Sequence, residues 1–400
     1  MLLALLLSLA PAAFPQTGAE GATPRLATED LEGRRGLLDP ADLPLADPRT
    51  KGVWIVRPEG FALPPAADDP APRMRLTLVG GDVLGGRVRG GSGEVLELEL
   101  AGGVVVPVAI DDLASLVALE GVPEAALATF TPAPEGDRLY RLTGAIEPVD
   151  GTVEGFAADG VRFDSVLGSR TTPWAEVAAL FVESLSGATA PVAAEVPVQL
   201  TFAGTAGGRL RAGLVRLERE HCRVVLGGRT EVALPLGALS ELLVADGRLS
   251  YLSDLAPLAE SGRGAPFGDE LGMLWPHRRD ANVAGGPLVA AGRTYARGLG
   301  VHAPSRLTFA LDPPARALRG SVAIDDSTRL FPRAARGSVV FRLWADEKLL
   351  WESPVVQGGE APLVLPALAL AGARELVLEV DPAGDFAGDR ADWLELLLVR

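Results

Sequence analysis

The residues of this chain that could do chemistry are few and concentrated near its C-terminus. One cysteine, Cys222, admits neither an intrachain disulfide nor a cysteine-based zinc site. The three histidines, His221, His277 and His302, fall at unrelated spacings, which argues against a His-rich metal centre. Gly298-Leu-Gly-Val-His-Ala303 imitates a dinucleotide fingerprint, but Pro304 and the strand-like Arg306–Phe309 follow it where a helix should cradle phosphate. Neither a His-Glu-x-x-His nor a Gly-x-Ser-x-Gly motif occurs. What remains is acidic and aromatic. Asp325 and Asp326 close a strand, where adjacent carboxylates point to opposite sides, so one can hold the turn while the other faces a ligand or metal. The loop from Asp381 to Asp392, with Asp385, Asp389 and Asp392, has the oxygen ligands and glycine flexibility that calcium favours; a solvated acidic loop is the alternative. Trp344 and Trp351 near the Asp346 turn suit either a core or a rim.

The elements that must position these residues read as strands. Forty-seven glycines and 32 prolines in 400 residues imply many turns and favour short strands over long helices. The length calls for several domains. Fifty-two acidic against 37 basic residues, a formal net charge of −15, would repel a phosphate backbone, so nucleic acid is excluded as an expected partner.

Leu2–Ala10 is an apolar run followed by Pro11-Ala-Ala13, the pattern of a signal peptide over residues 1–13, and too short to span a bilayer. Apart from it, no stretch is long and apolar enough for a membrane helix, so none is expected in the mature chain. Residues 14–72 carry Pro40, Pro44, Pro48, Pro58, Pro64, Pro65, Pro70 and Pro72 and read as a linker with one strand at Gly52–Arg57. Three similar strand-rich stretches follow, over 74–120, 137–185 and 196–247, with Pro107, Pro173 and Pro235 in the same relative place. They are expected to be small barrels packed in a row, serving as spacer or assembly platform; a single larger β-sandwich is the alternative.

From residue 250 to 400 the pattern changes. Trp275–Asp280, Asn282–Leu288, Gly292–Ser305 (GRTYARGLGVHAPS), Leu318–Asp326, Gly337–Asp346, Lys348–Ser353, Leu376–Val380 and Gly388–Trp393 follow one another in an order that closely resembles the NPCBM domain, a family related to carbohydrate-binding modules of family 51. The resemblance implies a galactose-binding-like β-sandwich (jelly roll), a glycan as partner, and often a structural calcium ion. The expected fold class is therefore all-β: three barrel-like repeats and then the sandwich.

Sugar recognition needs planar hydrogen-bonding groups for paired hydroxyls and an aromatic face for the ring's C–H side. The residues that match the family's motifs, and so carry this expectation, are His302, Asp325, Asp326, Asp392 and Trp393, with Trp275 as a stacking platform and Asp346 in a variable loop. Asp385, Asp389 and Asp392 are the expected calcium ligands. For His302 and Trp393 a place in the core is the competing expectation. Arg390 stands where the family commonly has a histidine, Asp346-Glu-Lys348 replaces its usual Asp-Gly-Lys turn, and Thr328–Arg333 is less glycine-rich than usual. The resulting expectation is a secreted or periplasmic, envelope-associated bacterial protein that binds a glycan, possibly galactose-containing in the family's manner, without cleaving it. A structural protein of the envelope that binds a protein partner through residues 74–247 is the alternative.

Overall fold

The computed structural model describes residues 23–63, 71–100, 102–127, 129–183, 194–203, 208–226, 230–262, 274–330, 336–384 and 386–400. The expected leader at 1–13 and the calcium candidate Asp385 lie outside these residues. The described chain is almost entirely strand and turn, with one four-residue helix at Glu124–Leu127. No described helix is long and apolar enough to cross a membrane.

The expected linker is corrected by the structure over its described residues; 14–22 and 64–70 lie outside them. Arg25–Glu29, Arg35–Leu37 and Ile55–Glu59 are strands, paired antiparallel about the first of them. Two of its described prolines, Pro40 and Pro48, shape the chain rather than stretch it. Pro40 and Pro48 each open a short 3-10 turn, capped by Asp39 and Asp47, whose carboxylates accept from the Ala41 and Arg49 amides at 2.8 and 2.9 Å. The apolar residues between them, Leu38, Leu45, Val53, Trp54, Ile55 and Val56, are buried. Ile55 and Val56 pair with Leu243 and Leu242, adding this segment to the strands that follow.

One pairing order occurs three times. Strands Arg73–Leu78, Val83–Ser92, Val95–Glu99 and Val105–Ala109 form a meander, and Leu113–Ala118 returns to pair the free side of the first. Asp137–Thr143, Ala145–Phe156, Gly160–Ser165, Arg170–Pro173 and Val177–Phe181 repeat this order. So do Pro197–Phe202, Arg209–Leu217, His221–Leu226, Thr230–Pro235 and Leu239–Val244. A 3-10 turn precedes the fifth strand each time. Among the described residues no unit closes into a barrel, because its fourth strand pairs on one side only. Pro107, Pro173 and Pro235 lie in those fourth strands, where a missing N–H suits a free edge. Nor do the units stand apart: Ala179, Leu180 and Phe181 pair with Val117, Leu116 and Ser115, and one hydrophobic core runs through the N-terminal segment and all three units.

The remainder is a sandwich of a seven-stranded and a six-stranded antiparallel sheet. The first is centred on the last strand, Arg390–Val399, flanked by Gly298–His302 and Ala317–Ile324. The second is built on Glu375–Pro382 between Ser305–Ala310 and Ser338–Ala345. Alternation along Ser338–Ala345 sends Val339, Phe341, Leu343 and Ala345 inward, as a sheet with one wet face requires.

The sandwich is not a bead on a string. Leu397 and Val399 of its last strand belong to the core of the preceding units, together with Leu249 and Tyr251. Around that seam lies a buried charge network. Glu241 meets Arg57 at 2.8 Å and accepts from the Tyr251 hydroxyl at 2.8 and 2.9 Å. Glu29 meets both Arg57 and Arg319 at 2.8 Å. Arg297 lies over the Tyr251 ring and pairs with Asp254 and Asp280 at 2.8 and 3.1 Å. Burial pushes the Glu241 carboxyl above its ordinary range, against the pull of Arg57.

Candidate glycan-binding surface

Gly298–His302 is held between Arg278–Arg279 and the last strand. Gly300 is required there, because a Cβ would lie 2.4 Å from the Ala281 carbonyl. This close approach brings the chain after Trp275 over the end of the strand. The Trp275 ring then stacks on His302, with centroids 5.5 Å apart and planes at 21°. Cross-strand register places Arg390 opposite His302. Its guanidinium carbon lies 5.9 Å from the Trp275 centroid, and Nη1 donates to the Ser327 hydroxyl at 3.2 Å.

His302 is 7% exposed, and its Nδ1 donates to the Ala303 carbonyl at 2.8 Å, leaving Nε2 as an acceptor when the ring is neutral. Burial lowers its pKa, aided by the Arg390 charge and opposed by the bond to Ala303. The unfolded histidine therefore binds a proton that the folded one refuses, so stability present above about pH 6.5 is lost as pH falls below it. Urea midpoints on either side of that pH should diverge for the native chain and converge for His302→Gln; parallel profiles would contradict this.

Beside the stack, Asp325 is 1% exposed, and its carboxylate accepts from Asn282 Nδ2, Ser327 N and Val289 N at 3.0, 2.8 and 2.9 Å. It holds the turn. The Asp326 side chain is largely covered, accepting from the Gly292 amide at 2.7 Å and from Arg329 Nε at 2.6 Å. The structure thus brings Trp275, His302 and the Asp325–Asp326 turn together at one end of the sandwich, with Ser327 as the link. Arg390 and Ser327 were not among the expected contacts. Arg390 becomes visible as one only through its register with His302.

Two expected contacts are corrected. Trp393 is fully buried and packs edge-to-face on Phe341 at 4.9 Å, a core anchor with no face for a sugar. Asp346 holds a left-handed turn, φ 50°, by accepting from the Arg374 and Glu375 amides at 3.0 and 3.1 Å. Its strand begins at Ser338, beside Asp389, so it sits at the opposite end, about 25 Å away at 3.3 Å per residue. Trp351 packs against the sandwich core, and Trp344 is half-buried.

The calcium candidates have different surroundings. Asp389 is buried and accepts from the Ser338 amide at 2.7 Å. Asp392 is 1% exposed, and no donor reaches either carboxylate oxygen. Burial, with the nearby Asp325 and Asp326 carboxylates, pushes Asp392 well above the usual carboxylate range. Among the described residues no three acidic, histidine or cysteine side chains converge as a metal group.

With this geometry in place, comparison with known proteins gives one family. The NPCBM/NEW2 domain family matches residues 248–399, the whole sandwich. Residues 248–399 are an NPCBM domain. The chain is 32% identical over 123 residues to alpha-1,3-galactosidase B of Akkermansia muciniphila, a match covering 30% of this chain and 15% of that protein. A second curated relative, from Renibacterium salmoninarum, is 34% identical over 110 residues, 27% of this chain and 7% of that protein. The matched stretch therefore spans a small part of either relative. A solved CBM51 from Clostridium perfringens GH95, in complex with methyl-galactose, aligns at 22% identity and a TM-score of 0.31, covering 38% of this chain and 99% of that one. The Trp275, His302 and Arg390 cluster lies within the matched residues.

Proposed function

We propose that the chain is an exported, non-catalytic protein that binds a galactose-containing glycan through its NPCBM domain, with the strand-rich units as a rigid platform. The observation that carries this reading is the stack of Trp275 on His302 beside Arg390. An aromatic ring and a planar guanidinium donor are groups a sugar ring needs around it, and the buried His302 backs the Trp275 ring from inside the sandwich. The galactosidase name of the Akkermansia relative supports galactose as the first sugar to try. The full chain on a glycan array, with and without calcium, tests the reading; no binding in either condition would sink it.

For the calcium ion we propose Asp392 as a ligand; the support is its buried carboxylate, which no donor reaches and which lies near Asp325. A hard cation with oxygen ligands would neutralise that pair and hold the Asp325 turn in place. At a hundredfold excess over its Kd, calcium should add about 2.7 kcal/mol to stability. The thermal midpoint should rise with calcium in the native chain and not in Asp392→Asn, whereas identical midpoints with and without calcium in the native chain would contradict the site.

A further inference from the structure

We infer that copies of this chain join head to tail, the apolar hairpin tip at Val166–Leu167 of one copy seating in the cleft between Leu43–Pro44 and Glu218–Arg219 of the next. The tip joins Gly160–Ser165 to Arg170–Pro173 in the second strand unit. Val166 is 99% exposed and Leu167 73%, so neither is covered by its own chain. Single apolar side chains on a surface are ordinary, but two adjacent ones this exposed mark a contact.

The turn is built to hold them out. Gly168 N donates to the Ser165 carbonyl at 2.8 Å, Leu167 N donates to the Ser165 hydroxyl oxygen at 3.2 Å, and Gly168 takes a φ of 90°, which favours glycine. The Ser169 hydroxyl ties the far side of the turn to Glu154. A tip fixed in advance loses little entropy on docking.

The cleft matches it in size and chemistry. Leu45 and Leu217 bond each other's backbone at 2.9 and 2.8 Å, which sets Leu43 and Pro44 beside the turn at Glu218–His221, itself closed by a 2.8 Å bond from Glu218 N to the His221 carbonyl. The cavity between them is about 260 Å³, and Leu43 and Pro44 make it mainly apolar. That volume lies below the range of about 300–1,000 Å³ for ligand pockets and suits a pair of side chains.

Charge selects the occupant. Asp164 and Arg170 flank the tip, Arg219 and Glu220 form the turn at the cleft, and all four are exposed with no side-chain partner among the described residues. Glu218, by contrast, is already engaged by Arg216 and Arg223 at 2.6 and 3.0 Å. An acid and a base around the tip thus face a base and an acid at the cleft, so Asp164 can meet Arg219 while Arg170 meets Glu220. A lipid surface would cover the tip and leave the cleft unfilled.

Tip and cleft are different surfaces, so the contact repeats from copy to copy until a ring closes or a filament grows. One hairpin tip buries little area, and the association is therefore weak and reversible. Each added copy brings another NPCBM domain, and joined domains hold a multivalent glycan by avidity.

Sedimentation velocity of the full chain without glycan, at protein concentrations up to about 0.1 mM, tests this separately from sugar binding. The native chain should gain mass with concentration. Leu167→Asp should weaken that association at least about tenfold at an unchanged thermal midpoint. Val364→Asp, which alters a 74% exposed valine of the sandwich, should leave it as it is. Asp164→Arg and Arg219→Asp should each weaken it, and the two together should restore most of it. A native chain that stays monomeric throughout, association that Leu167→Asp leaves intact, or a double variant no better than either single one would overturn the inference.

Discussion

Arg57→Ala is expected to destabilise the full chain by about 3–5 kcal/mol, the range for removing one partner of a buried ion pair. Arg57 comes from the N-terminal segment, Glu241 from the third strand unit and Tyr251 from the entry to the NPCBM domain, and all three meet at 2.8 Å contacts around one carboxylate. Without the guanidinium, Glu241 keeps its burial and loses its counter-charge. Glu29, only 6% exposed, loses one of its two close arginines as well. Arg25→Ala is the control. Arg25 and Glu59 also meet at 2.7 Å, but their side chains are 60% and 44% exposed, so the loss should stay below about 1 kcal/mol. Equilibrium urea unfolding of the two variants would check the contrast. Equal small losses would mean that the network does not tie the N-terminal segment to the sandwich.

The second large effect separates two tryptophans that look alike in sequence. Trp393→Ala should cost about 3–5 kcal/mol of stability, because it empties a fully buried site against Phe341. Trp275→Ala should cost only the stacking on His302, about 0.5–1.5 kcal/mol, and leave a folded protein that no longer binds glycan. Thermal unfolding and glycan titration of both variants give the comparison. A Trp275 variant that keeps full affinity would remove the aromatic platform from the account.

Much of this was legible in the residues, and the limits have physical causes. The ordered motifs from Trp275 to Trp393 located the sandwich, because its turns and strand ends need particular residues, such as glycine at position 300. Strand alternation in Arg73–Leu78 and its counterparts was readable for the same reason, each strand having one buried face. The N-terminal segment hides its strands because prolines suggest breaks, while Asp39 and Asp47 make Pro40 and Pro48 capped starts. That its strands join Leu242 and Leu243 depends on pairing across almost two hundred positions, which no local pattern carries. The site shows the same division. His302 and Trp275 stood out by type and motif, but Arg390 joins them only through strand register, and Asp346 leaves them because a strand of eight residues separates the two ends. Asp392 looked like one member of an acidic loop; the sheet turns it instead toward Asp325, a partner from another strand end.

The central claim is that the Trp275, His302 and Arg390 cluster of the NPCBM domain holds a sugar. The most direct measurement is a glycan array of the full native chain beside Trp275→Ala, followed by titration of the best glycan. The account predicts binding of a galactose-containing glycan by the native chain and at least a tenfold loss in the variant at nearly unchanged stability. Glycan binding that survives intact in Trp275→Ala, or no binding by the native chain at all, would contradict it.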